Sequence, residues 1–179
     1  VFQRPAVWSW TNQKKLLDSL FKGIPIGMVY LWKYKSPRVF RGIPGLDEPD
    51  KKDLEALILD GQQRLSLLCW IKYRASDPKF SGGPGPLLFD LVNEVFHKAS
   101  NTHKEDLTNG VIRVEQLFET NGYLKLTREL KARFQKKLNR LNECFTTRKV
   151  SVQELEKSAS ISDALQIYNR VNAEGTKLT

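Results

Sequence analysis

Asp60-Gly61-Gln62-Gln63-Arg64 is the stretch whose residue types and spacing come nearest to a chemical site. It interrupts an apolar run, LILDGQQRLSLL, at residues 57–68. Leu57, Ile58 and Leu59 have the length and composition of a short buried strand. Gly61 supplies a flexible turn, and Leu65, Leu67 and Leu68 open a helix expected to reach about Tyr73. Gln62, Gln63 and Arg64 then stand on the first helical turn. Such a turn carries backbone N–H groups that the helix cannot satisfy itself, together with the positive end of its dipole, so it favours anions. An arginine there adds a planar fork of five donors matched to phosphate oxygens. The chemistry on offer is phosphate binding. The same residues also fit an ordinary solvated helix start, with Asp60 as cap and Gly61 as turn. Neither GxxxxGK[ST] nor GxGxxG occurs to separate the two readings.

The elements that must position this turn follow from periodicity. Residues 2–10 read as an extended lead containing Trp8 and Trp10, whose plain role is packing. Residues 12–21 form a helix with Leu16, Leu17, Leu20 and Phe21 on one side and Gly23 at its end. A strand is expected over 27–33, rich in aromatic and aliphatic residues, then a polar loop over 36–54. After the motif, SGGPGP at 81–86 must be a turn or flexible loop. Residues 87–96 read as a hairpin turning around Val92-Asn93-Glu94, with a further strand over 110–114 and a short helix over 114–119. Residues 148–155 alternate like a strand, and 162–171 form a last helix running into a loop at 172–176. Strands and helices mix without a regular βαβ period, so the expected class is α+β, a small mixed sheet with flanking helices.

The net charge of +9 is unevenly spread. Residues 125–149 hold nine Lys or Arg against Glu129 and Glu143, a local +7. Leu126, Leu130, Phe134, Leu138, Leu141 and Phe145 recur there at helical spacing, so one amphipathic helix with a basic outer face is expected. Lys131, Arg133, Lys136, Lys137 and Arg140 on that face suit a nucleic-acid backbone, and equally suit a solvated surface. No apolar run approaches the length that spans a bilayer. Cys69 and Cys144, far apart in sequence, read as reduced thiols of a cytoplasmic protein, with Cys69 a small buried hydrophobe. Two His and two Cys without ligand spacing argue against a protein-only zinc site, and His97 and His103 receive no role. A start without Met and an end at Leu178-Thr179 suggest a piece of a longer chain.

Three segments together resemble a known family. FQRPAVWSW (2–10), ILDGQQRLSLL (58–68) and IYNRVNAEGTKLT (167–179) are similar to the N-terminal domain of GmrSD-type modification-dependent restriction enzymes, in the ParB/sulfiredoxin-like superfamily. DGQQR before a leucine-rich helix is the hallmark, and Tyr168, Arg170, Asn172, Gly175 and Leu178 match an (F/Y)xRxNxxGxxL tail. Ala6 departs from the pattern, which usually has an aromatic after Gln-Arg-Pro. The resemblance implies a ParB/sulfiredoxin-like core with a helical appendage. It divides the single domain into a core at 1–96, a basic helical insertion at 97–150 and a return strand and helix-loop at 151–179.

The resemblance also implies roles. Asp60, Gly61, Gln62, Gln63 and Arg64 would form a site for a nucleoside triphosphate (GTP, UTP, CTP or ATP) with magnesium. Arg64 would pair with phosphate oxygens, Gln62 or Gln63 would orient water or contact phosphate, and Asp60 would hold the metal or act as base. Gln3 and Arg4 would line one wall, with Arg170, Asn172 and Gly175 closing the other. Taken as a helix end alone, those last three are a surface charge, a cap and a turn. The implied function is an NTP-hydrolysing regulator of an anti-phage defence nuclease, the nuclease domain or subunit lying C-terminal or separate. The alternative is a DNA-recognition module that uses the basic helix without hydrolysis. DNA cleavage by this segment itself is disfavoured by the lack of a compact Asp/Glu/Lys cluster.

Overall fold

A computed structural model describes residues 8–33, 42, 50, 54–77, 83–156 and 159–174, with side chains to 171. In chain order the elements are α1 (Trp10–Lys22), β1 (Met28–Trp32), β2 (Leu57–Asp60), α2 (Gln62–Ser76), β3 (Leu87–Asp90), β4 (Val95–Lys98), β5 (Val111–Arg113), α3 (Gly122–Glu129), α4 (Gln135–Thr146), β6 (Ser151–Leu155) and α5 (Ile161–Glu174). The class is α+β, with two three-stranded sheets among the described residues. Two compact units emerge. The first takes Val1–Val7, Gly27–Leu65 and Val150–Thr179, and the second Trp8–Ile26 and Ser66–Lys149. Against the expected boundaries at 96/97 and 150/151, residues 66–96 group with the basic segment, because β3 pairs with both β4 and β5.

In the first unit β1 is central, antiparallel to β2 and parallel to β6. Side chains alternate across a strand, so Tyr30 and Trp32 share one face of β1 and Val29 takes the other. Trp32, Leu59 and Leu155 are buried on the first face against Ala164 of α5, with Tyr30, Leu57 and Ile167 packed around them. Helix α5 runs to Glu174, so Asn172 lies in the helix and not in a loop.

In the second unit α1 begins at Ser9, whose side chain accepts from the Asn12 N–H, and ends at Gly23 in the left-handed conformation. Its Phe21 packs against Phe89 of β3, the rings 4.9 Å apart. The expected hairpin is present, with Asp90 accepting from the N–H groups of Val92 and Asn93.

The single basic helix is corrected to two. α3 ends at Glu129, Leu130 after it is extended, a 3-10 turn covers Ala132–Phe134, and α4 follows. The cause is geometric. A spacing of four residues overshoots one turn by about 40° on a helix of 3.6 residues per turn, so three such steps would swing an apolar stripe by about 120°. The break lets Leu126, Leu130, Phe134, Leu138 and Leu141 all be buried. Gln135 bridges it, donating to the carbonyls of Thr127 and Leu130 at 2.7 and 3.2 Å.

Both cysteines are free. Burial pushes the Cys144 thiol up to about 12, as befits an inert packing residue. No helix among the described residues is long and apolar enough to cross a membrane.

Candidate phosphate site

Strand β2 ends at Asp60, Gly61 turns the chain, and α2 begins at Gln62. Gly61 has φ +95°, and its carbonyl accepts from the Leu65 N–H at 3.0 Å, which closes the first turn of α2. Only glycine adopts that φ without cost. Space demands glycine as well: a Cβ on Gly61 would lie 2.9 Å from Val29 Cγ2 and 3.2 Å from Arg64 Nη2.

Arg64, on the first turn of α2, folds back past Gly61 toward the start of β1. Its Nη2 donates to the Met28 carbonyl at 2.9 Å and to Asp60 Oδ2. The arginine side chain is only 16% exposed and the aspartate 28%, so this pair is partly screened from water. Gly27 completes the slot. Its φ is +85°, and a Cβ there would overlap Arg64 Nη1. Gln62 and Gln63 stand beside Arg64 on the same turn, both half-buried. Asp60, Gly61, Gln62, Gln63 and Arg64 are thus assembled at one strand-to-helix turn.

Arg170 is placed elsewhere. It lines a groove with Tyr30, Gln153, Leu155 and Ile167, on the face of β1 opposite Val29, whereas Gly61 and Arg64 lie on the Val29 side. Gln3, Arg4, Gly175 and the Asn172 side chain lie outside the described residues. Among the described residues no group of three or more His, Cys, Asp or Glu side chains is arranged to hold a metal ion. A magnesium ion at this turn would therefore draw on Asp60 and on oxygens of its own ligand, a donor set that magnesium accepts.

Gly27 and the Met28 carbonyl escaped the sequence reading of the site, although a glycine at a strand start is itself a sign of close backbone approach.

Of the five basic residues expected to suit a nucleic-acid backbone, two have partners within the second unit. Lys137 donates to the Val92 carbonyl at 2.7 Å and pairs with Glu94 at 3.9 Å. Arg140 pairs with Glu94 at 3.4 Å and lies over the Phe21 ring at 4.3 Å. These two cations serve the packing of the hairpin and α1. Lys131, Arg133 and Lys136 are exposed, as is Arg140 beside its partners, with Arg133 lying over the Phe134 ring.

A family model described as the N-terminal domain of the GmrSD restriction endonuclease matches residues 1–179, the whole chain. Comparison with curated proteins finds no match.

Proposed function

The chain belongs to the family of GmrSD restriction endonuclease N-terminal domains, and from that premise we propose that it binds and hydrolyses a nucleoside triphosphate to regulate a nuclease carried elsewhere in the system. The observation that supports this most is the seating of Arg64 at the first turn of α2 by Gly61, Asp60 and the Met28 carbonyl. A guanidinium at a helix start meets phosphate with both charge and directed donors. Asp60 is its internal counter-anion and the one carboxylate of the motif that a nucleotide-borne magnesium can use. Gln62 or Gln63 orients the attacking water, the role a glutamine plays in several nucleotide hydrolases.

The test is binding and phosphate release with GTP, UTP, CTP and ATP, comparing wild type with Arg64→Ala and Asp60→Ala. Loss of the arginine should weaken triphosphate binding about 10- to 100-fold, the size of a hydrogen bond to a charged group. Turnover should fall in both variants. Binding and release unchanged by Arg64→Ala would remove the assignment.

A second reading, DNA recognition through the basic face, is supported by the exposed trio Lys131, Arg133 and Lys136. If the trio contacts duplex phosphates, neutralising it should flatten the plot of log affinity against log salt by roughly 2.7, the counterion release of three contacts. Arg140→Ala should leave that slope nearly unchanged and lower the melting temperature, since Arg140 is committed to Glu94 and Phe21. A slope that ignores the trio would exclude this surface.

A further inference from the structure

Arg64 reaches its position only because a residue 37 places earlier in the chain has no side chain. A Cβ built on Gly27 falls far inside van der Waals contact with Arg64 Nη1, and 3.5 Å from the guanidinium carbon. The neighbouring carbonyl of Met28 accepts from Nη2 at 2.9 Å. From the other side Gly61 leaves room for Nη2, where a Cβ would stand 3.2 Å away. Both glycines have positive φ, +85° and +95°. The guanidinium is thus slotted between two stretches of bare backbone, one from the start of β1 and one from the β2–α2 turn. A plane so held loses little further freedom when it meets a ligand, which is the usual advantage of preorganisation.

We propose that Gly27 is a positioning residue of the phosphate site, acting through Arg64 by leaving the slot that fixes the guanidinium; this deepens the nucleotide reading above and depends on it for its functional consequence. Gly27 touches no ligand in this scheme. A methyl group there pushes Nη1 out of the slot, and the Met28 carbonyl and Asp60 then no longer meet the same nitrogen.

A double-mutant cycle on the full chain tests the proposal, with Gly27→Ala, Arg64→Ala and the double variant. Two readouts are taken, melting temperature and titration with magnesium GTP, UTP, CTP and ATP in turn. For the tightest-binding triphosphate, Gly27→Ala is expected to weaken binding about tenfold in the wild-type background and to change nothing further when Arg64 is already alanine, the non-additivity of contacting residues. The melting-temperature penalty of Gly27→Ala should likewise shrink in the Arg64→Ala background, where the collision is gone and only the strain of positive φ remains. The stability arm decides the Gly27–Arg64 coupling whether or not any nucleotide binds. Equal stability penalties in both backgrounds would overturn the proposal. A wild-type chain that binds none of the four triphosphates would overturn the nucleotide reading while a positive stability coupling still upheld the slot. If Gly27→Ala alone fails to fold, recovery of folding in the double variant gives the expected result, and failure of both gives the contrary one.

Discussion

Replacing Glu115 with alanine should destabilise the second unit by about 3–5 kcal/mol, the usual cost of removing one partner from a buried ion pair. Glu115 is 1% exposed and Arg74 9%. Glu115 Oε1 accepts from the Leu87 N–H at 2.9 Å and lies 3.8 Å from Arg74 Nε, so one carboxylate oxygen serves both the first residue of β3 and a cation of α2. Alanine strips an acceptor from a buried N–H and an opposite charge from a buried guanidinium at once. Glu115→Gln keeps the acceptor and should cost markedly less. The two variants also separate charge from hydrogen bonding through pH. Burial holds the Glu115 carboxyl above the usual glutamate range, against the opposing pull of the Leu87 N–H and of Arg74. As pH rises through the ordinary glutamate value, the unfolded chain loses its proton first and the native state keeps it. The stability that Glu115 contributes in its protonated form is therefore full below the unfolded pKa and declines as pH climbs through the raised native value. Chemical denaturation of wild type and Glu115→Gln from pH 4 upward should show the wild type losing ground to the variant across that window. Parallel pH profiles would mean that the Glu115 pKa is the same in the folded and unfolded states.

What could be foreseen from sequence was what local chemistry controls. Helix α1 was legible because Leu16, Leu17, Leu20 and Phe21 mark one face and Gly23 marks its end. The strand–glycine–helix turn at Asp60-Gly61-Gln62 was legible for the same reason, since an apolar run of strand length broke at a glycine and resumed at helical spacing. The hairpin around Val92–Glu94 followed from turn residues between two apolar runs. What stayed hidden depends on pairing between distant segments. Nothing near Arg64 announces that its acceptor is the Met28 carbonyl, 36 residues away. Nothing in the local sequence pairs Glu115 with the first residue of β3 and with Arg74 of α2, 28 residues and more away. Arg140 and Lys136 had equal standing as basic-face residues and both are exposed, and only the fold gives Arg140 the partners Glu94 of the hairpin and Phe21 of α1. The break at Leu130 was in principle readable, because three successive spacings of four cannot keep one straight face.

The second large effect couples stability to the site. Gly61→Ala should cost about 2–4 kcal/mol and weaken triphosphate binding by more than tenfold, from two separable causes. The first is conformational: φ of +95° disfavours any residue with a Cβ. The second is packing, because the new methyl group meets Val29 Cγ2 at 2.9 Å and the Val29 Cα at 3.3 Å, and the latter is backbone of a central strand that cannot swing aside. Gly85 isolates the first cause, having φ +85° and open space for 4 Å around the point where a Cβ would stand. Gly85→Ala should then cost only the strain of its backbone conformation, about 1–2 kcal/mol. The excess at Gly61 measures how tightly the turn is pressed between Val29 and Arg64. That excess is also the part expected to reach the ligand, since a turn displaced from Val29 carries the first residues of α2, and Arg64 with them, away from the Met28 carbonyl. Equal penalties at Gly61 and Gly85, with triphosphate affinity intact, would show that the turn tolerates a side chain and that the guanidinium needs no such close fit.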